Sequence, residues 1–175
     1  MRFVLLILIF PLLSCISVFA QTETKCDVPA FVTDPSSGVN VRAGAGKDSK
    51  IVKTVPKDEG RTMFDVVGSK GDWLKVAYAV NSKNENVFSG TGWVHAPLLG
   101  VKEKLNKYKV FESPTTKSKR IDIGLFEHIL PLAGCKGEWV KVQLPVTGTD
   151  VSEIKRTGWM PPGSHCGNPW MECDY

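Results

Sequence analysis

Two tryptophans introduce the chemistry that this sequence could do. Trp73 stands in Gly68-Ser69-Lys70-Gly71-Asp72-Trp73-Leu74-Lys75-Val76, and Trp139 in Gly134-Cys135-Lys136-Gly137-Glu138-Trp139-Val140-Lys141-Val142. Trp93 follows in Thr91-Gly92-Trp93-Val94 and Trp159 in Thr157-Gly158-Trp159-Met160, so both motifs recur at one offset of 66 residues. An indole beside a lysine stem stacks on a sugar ring or a proline, which is recognition without covalent chemistry. Its competing use is to cover the edge of a small fold, because an aromatic side chain carries so much burial.

Covalent chemistry has thinner support. The histidines are His95, His128 and His165, and no Gly-x-Ser-x-Gly elbow, His-Glu-x-x-His helix or phosphate loop is present. A Cys-dependent hydrolase built on Cys135 and His128 would need a thiolate beside a positioned base. Cys26, Cys135, Cys166 and Cys173 are even in number, and in an oxidising compartment they read as two disulfides with three possible connectivities. Zinc at His165 and Cys166 is the rival, but the Cys-x6-Cys spacing matches no common zinc pattern. The residues therefore point to a non-catalytic protein with no metal.

The elements that must carry these residues are short strands bounded by turns. Val39 to Arg42, Lys50 to Val55, Met63 to Val67, Trp73 to Val80 and Gly92 to Val94 form one series. Tyr108 to Phe111, Arg120 to Ile123, Ile129 to Ala133, Trp139 to Leu144 and Gly158 to Met160 form a second. Runs of this length and spacing predict an all-β protein, and a motif kept in register predicts two copies of one unit. Alternation puts Leu74, Val76 and Tyr78 on the inner face and Trp73, Lys75 and Ala77 on the outer. Val140, Val142 and Leu144 likewise oppose Trp139, Lys141 and Gln143. Val94 and Met160 are expected in the core, with Trp93 and Trp159 as lids.

The ends of the chain set the compartment. Arg2, the apolar run from Phe3 to Leu13, and Val18-Phe19-Ala20 read as a signal peptide over 1–20, cleaved after Ala20. Leu12-Leu13-Ser14-Cys15 also resembles a bacterial lipobox, so lipidation of Cys15 is the alternative, and the only route to a membrane. Cleavage leaves 155 residues and lowers the formal net charge from +4 to +3. So mild a charge on a secreted chain argues against nucleic acid as a partner. Lys102, Lys104, Lys107, Lys109, Lys117, Lys119 and Arg120 read as a solvated surface, with an anionic polymer as the competing partner.

Val39-Asn40-Val41-Arg42-Ala43-Gly44, Gly71-Asp72-Trp73-Leu74-Lys75-Val76 and Gly90-Thr91-Gly92-Trp93-Val94-His95 resemble, in order, the opening, central and final motifs of bacterial SH3-like (SH3b) domains. The second unit keeps the last two motifs, while Lys109-Val110-Phe111-Glu112-Ser113 replaces the opening one. The resemblance implies two tandem small SH3-like β-barrels with no cofactor. The first spans 26–100 and the second 108–163, joined by a solvated linker at 101–107. A structureless Cys-containing tail occupies 164–175, and it resembles tails of tandem proteins in which Cys135, Cys166 and Cys173 recur together. It also implies a secreted or periplasmic binding module for cell-wall peptidoglycan, either glycan or peptide. A structural or protein-interaction subunit bound to an envelope protein is the alternative. Candidate ligand-binding residues are Trp73, Trp139, Trp93, His95 and Trp159. Pro161 is a weaker candidate, and Arg42 reads as structural.

Overall fold

The two Gly-x-Lys-Gly turns fold alike. In the computed structural model, which describes residues 22–104, 109–122, 129–144 and 156–173, Gly71 and Gly137 each adopt φ of 57°. That left-handed value closes a tight turn where a side chain would be strained. The leader at 1–20 with Cys15, the linker residue Lys107 and His128 lie outside the described residues.

The fold is all-β. The first series comprises β1 (Thr24–Val32), β2 (Val39–Arg42), β3 (Ile51–Val55), β4 (Met63–Lys70), β5 (Trp73–Val80) and β6 (Asn86–His95). A 3-10 turn at Ala96–Leu98 leads to β7 (Leu99–Glu103). Then come β8 (Val110–Phe111), β9 (Arg120–Ile121), β10 (Ile129–Lys136), β11 (Trp139–Gln143), β12 (Thr157–Met160) and β13 (His165–Cys166). Twelve of them pair in the order β3-β2-β6-β5-β4-β1-β7-β10-β11-β12-β8-β9, and β13 joins β7.

The sequence repeat is also a repeat of register. Val66↔Val76, Gly68↔Lys75, Ser69↔Leu74 and Lys70↔Trp73 in β4–β5 become Leu132↔Val142, Gly134↔Lys141, Cys135↔Val140 and Lys136↔Trp139 in β10–β11. Each pair of strands carries an extra residue at the same place, Val67 and Ala133, which bends the sheet there. Leu74↔Val94, Lys75↔Trp93 and Val76↔Gly92 become Val140↔Met160, Lys141↔Trp159 and Val142↔Gly158. The glycines match as well. A Cβ at Gly92 would run into Val41 Cγ1, and one at Gly158 into Val110 Cγ1. Gly92→Ala and Gly158→Ala should each lower stability by about 1–3 kcal/mol, the usual cost of overpacking a closed core. Urea unfolding of the two variants checks this, and a neutral Gly158→Ala would break the equivalence of the copies.

The inner face follows the expected alternation, with one correction. Leu74, Val76, Val140, Val142, Val94 and Met160 are fully buried, and Leu144 is buried too. Tyr78 is only half-buried, and Ala79 takes the inner place instead. The cause is a bulge: β4 pairs Asp65 with Tyr78 and Val66 with Val76, which leaves Ala77 as an extra residue. One extra residue reverses the parity of the rest of β5.

Three further expectations are revised. The strand β1 stands outside the expected series, because Pro29 and the charges Lys25 and Asp27 interrupt its pattern, yet it pairs with both β4 and β7. The segment 101–107 is not a solvated bridge at its start. Val101 and Glu103 are buried within β7, which has β10 along one edge and β1 followed by β13 along the other. Nor is 164–175 structureless throughout. His165 and Cys166 pair with Glu103 and Lys102, and the Trp170 indole Nε1 donates to the Gly60 carbonyl at 2.8 Å. Gly167 lies so close on Pro29 that a Cβ would strike its carbonyl. As a result one continuous apolar cluster runs from Val39, Val41 and Phe64 through Leu99 and Val101 to Leu132, Val140 and Met160.

Disulfides join Cys26 to Cys135 and Cys166 to Cys173. The first fastens β1 to the second Gly-x-Lys-Gly hairpin. Around it Asp27 N–H donates to the Gly137 carbonyl at 3.0 Å and Gly137 N–H to the Lys25 carbonyl at 2.8 Å. The Thr24 hydroxyl donates to the Cys135 carbonyl at 2.8 Å and meets Ser69 Oγ at 3.3 Å. Thus the two equivalent hairpin corners share one N-terminal strand.

Candidate functional site

Trp73 opens β5 immediately after the Gly71 turn, and His95 closes β6 directly opposite it. Their rings meet edge to face, with centroids 5.5 Å apart at 61°. Trp73 is half-buried and His95 exposed, so the pair forms one wall of an open groove of about 450 Å³. The facing wall comes from β2, whose exposed Asn40 and half-buried Arg42 lie on the groove with Lys47 from the β2–β3 turn. Gly38, Asp72 and Leu98 complete it.

The surrounding bonds hold this arrangement in place. Arg42 Nη1 donates to the Ser49 carbonyl at 2.8 Å, which clamps the β2–β3 turn and leaves other guanidinium donors for the groove. The Thr54 hydroxyl donates to Asn40 Oδ1 at 2.8 Å, which directs the remaining amide donors elsewhere. The Asp72 carbonyl accepts from Ala96 N–H at 2.8 Å and ties the hairpin turn to the 3-10 turn. The groove thus offers an aromatic wall, two cations, one carboxylate and an amide. No serine, threonine or cysteine lines it. It can hold a polar ligand that has an apolar face.

The other predicted site residues separate from this groove. Trp93 is 8% exposed, so it is not an open ligand surface. On the outer face Arg42 of β2 and Lys75 of β5 stand directly across from it, with Lys75 Nζ 5.7 Å from its ring centroid. Lys75 is itself held by Glu23 at 2.8 Å. Two long cationic stems cover the indole, as amphipathic side chains do. Trp159 is half-buried with Lys141 Nζ 6.0 Å from its centroid, the same arrangement without a partner for Arg42. Phe111 stands there instead, paired with Trp159, and its ring meets Trp139 edge to face at 5.9 Å. The replaced opening motif of the second unit therefore puts an apolar ring where the first groove has a guanidinium. Pro161 is half-buried at the position equivalent to His95.

Asn40, Asp72, Lys47 and Leu98 were not among the predicted site residues, and Arg42 was assigned a structural role only. The signal for Asp72 was available: an acid precedes the tryptophan in both hairpins, as Asp72 and Glu138. The others lie on separate segments that only folding brings together.

Cys135 is bonded to Cys26, so no thiol is left there for hydrolase chemistry, and Cys166 is bonded to Cys173. Among the described residues no cluster of His, Cys, Asp and Glu could hold a metal ion, and no helix is long and apolar enough to cross a membrane. His165 faces a backbone carbonyl. Its Nε2 lies 3.1 Å from the Glu138 carbonyl, in a cleft shared with Asp27 and Lys104. Burial pushes its pKa below the ordinary 6.5, and the Glu138 carbonyl opposes the shift. The folded chain prefers the neutral ring, so this stability is complete above 6.5 and is lost as pH falls through the lowered folded value. Hydrogen exchange of the tail amides, corrected for intrinsic rate, should therefore quicken on acidification below 6.5 and be insensitive above it. His165→Gln should remove that dependence.

Residues 37–100 match the family described as bacterial SH3 domain. The chain therefore carries a domain of binding type, and the Trp73–His95 groove lies wholly within it. No curated protein matches the chain.

Proposed function

We infer that the protein is a non-catalytic, exported binding module of the cell envelope, whose first unit recognises peptidoglycan through the Trp73–His95 groove. The observation that carries this reading is the groove's lining: a ring pair for a sugar or peptide face, with Arg42 and Lys47 for a carboxylate. Peptidoglycan carries sugar rings and peptide carboxylates, which suits that combination. The repeated registers support a tandem arrangement, with a second SH3-like unit over 108–163. The two disulfides support an oxidising compartment, reached by the leader at 1–20.

Co-sedimentation with purified, protein-free peptidoglycan tests the reading. Retention at low salt that declines as salt rises is expected, because Arg42 and Lys47 act partly through charge. Folded protein that stays in the supernatant at low salt would refute it. Crosslinking in whole envelopes that traps one stoichiometric protein instead would assign the groove to an envelope protein.

A further inference from the structure

The Trp73–His95 groove keeps charges of both signs without pairing them to each other. Asp72 stands at the end of the Trp73 wall, next to Trp73 in the chain, and its backbone carbonyl is taken up by Ala96 N–H at 2.8 Å. Arg42 and Lys47 belong to the facing wall. Asp72 and Lys47 are exposed and Arg42 is half-buried. The ion pairs among the described residues join Lys75 to Glu23, Lys119 to Glu112 and Arg120 to Asp122, so Asp72 makes none with Arg42 or Lys47. Asp48 is exposed beside Lys47 in the β2–β3 turn, but it is not part of the lining and enters none of these pairs.

One ligand serves both walls when it carries a cation at one end and an anion at the other. An aliphatic stretch between the ends then lies on the Trp73 ring, the apolar surface of that wall. A polyanion would bring like charge to Asp72, and a neutral sugar would leave all three charges without a partner. The volume of about 450 Å³ is that of a site for a small ligand or a short peptide. The second unit keeps only half of the arrangement: Glu138 retains the acid, but Phe111 pairs with Trp159 where Arg42 pairs with Trp93.

In peptidoglycan the carboxylates and amines sit on the peptide stems, and a stem's side-chain amine is free only where it has not been joined to a neighbouring stem. We propose that the groove selects un-cross-linked stems. The free ammonium meets Asp72, a stem carboxylate meets Arg42 and Lys47, and the methylene chain between them lies on Trp73. Cross-linking turns the ammonium into an amide and removes the contact with Asp72. This selectivity rests on the peptidoglycan reading above and makes Asp72 the residue that sets it.

The test divides one preparation of purified peptidoglycan and treats half with acetic anhydride, which acetylates free amines and leaves carboxylates as they are. Co-sedimentation of the folded chain at low salt should be about three- to fivefold weaker on the acetylated half. Acetylation leaves the polymer more anionic, so plain attraction to this basic chain would change retention in the opposite direction. Asp72→Asn, an exposed change that keeps the carbonyl bonded to Ala96, should bind untreated peptidoglycan as weakly as wild type binds the acetylated half, and should not distinguish the two. Equal or stronger retention of wild type on the acetylated half, or an Asp72→Asn chain that still distinguishes the halves, overturns the selectivity and leaves the peptidoglycan reading standing. No retention on either half overturns both.

Discussion

Replacing Cys26 and Cys135 by serine should lower the stability of the folded chain by about 5 kcal/mol, and replacing Cys166 and Cys173 by about 2 kcal/mol. The difference comes from loop length. The first bond closes a separation of 109 residues and the second one of 7, so the first removes far more freedom from the unfolded chain. The first also lies where β1, β4 and the second hairpin meet, with Cys135 1% exposed. Urea unfolding of the two double variants, read against wild type, gives the order. A tail variant that unfolds at lower urea than the Cys26/Cys135 variant would reverse the assignment. Because the apolar cluster is continuous, wild type should unfold in one transition. The Cys26/Cys135 variant should lose the second unit first, since β8 and β9 are two residues each and contribute little pairing.

Trp73→Ala should weaken retention on peptidoglycan by about thirtyfold, the effect of losing a hot-spot aromatic worth ~2 kcal/mol. Stability should change little by comparison, because Trp73 is half-buried at a strand end. Trp93→Ala should do the opposite and cost about 3–5 kcal/mol of stability, because it removes a covered indole and strands the Lys75 and Arg42 stems. Trp139→Ala should change retention by less than about threefold, because Phe111 already occupies its edge. Arg42→Gln should separate charge from shape: it keeps a donor but removes the cation, so the salt dependence of retention should flatten. Equal losses from Trp73→Ala and Trp139→Ala would place recognition on both units and remove the argument built on Phe111.

The repeated motif made the strands, the hairpins and the inner faces of Leu74, Val76, Val140 and Val142 legible before folding, because register is a local property of alternation and turn type. The same alternation failed at Tyr78, where an added residue in β5 changes the parity and no local residue type announces it. Trp93 is expected from the sequence both as a lid and as a candidate ligand residue, and at 8% exposed it is covered. Its cover comes from Lys75 and Arg42, which lie on two other strands.

What the sequence determined by itself was therefore the all-β class, the duplicated hairpin and the inner faces of its strands. Those features depend on neighbours within a few positions or on one exact repeat. Only the tertiary structure decided that Cys26 pairs with Cys135, that residues 101–103 form a central strand, and that Asn40, Arg42 and Lys47 face the Trp73–His95 pair. These depend on contacts between segments far apart in the chain. Such contacts are selected by the burial of one shared core and leave no periodic trace in the residues that make them.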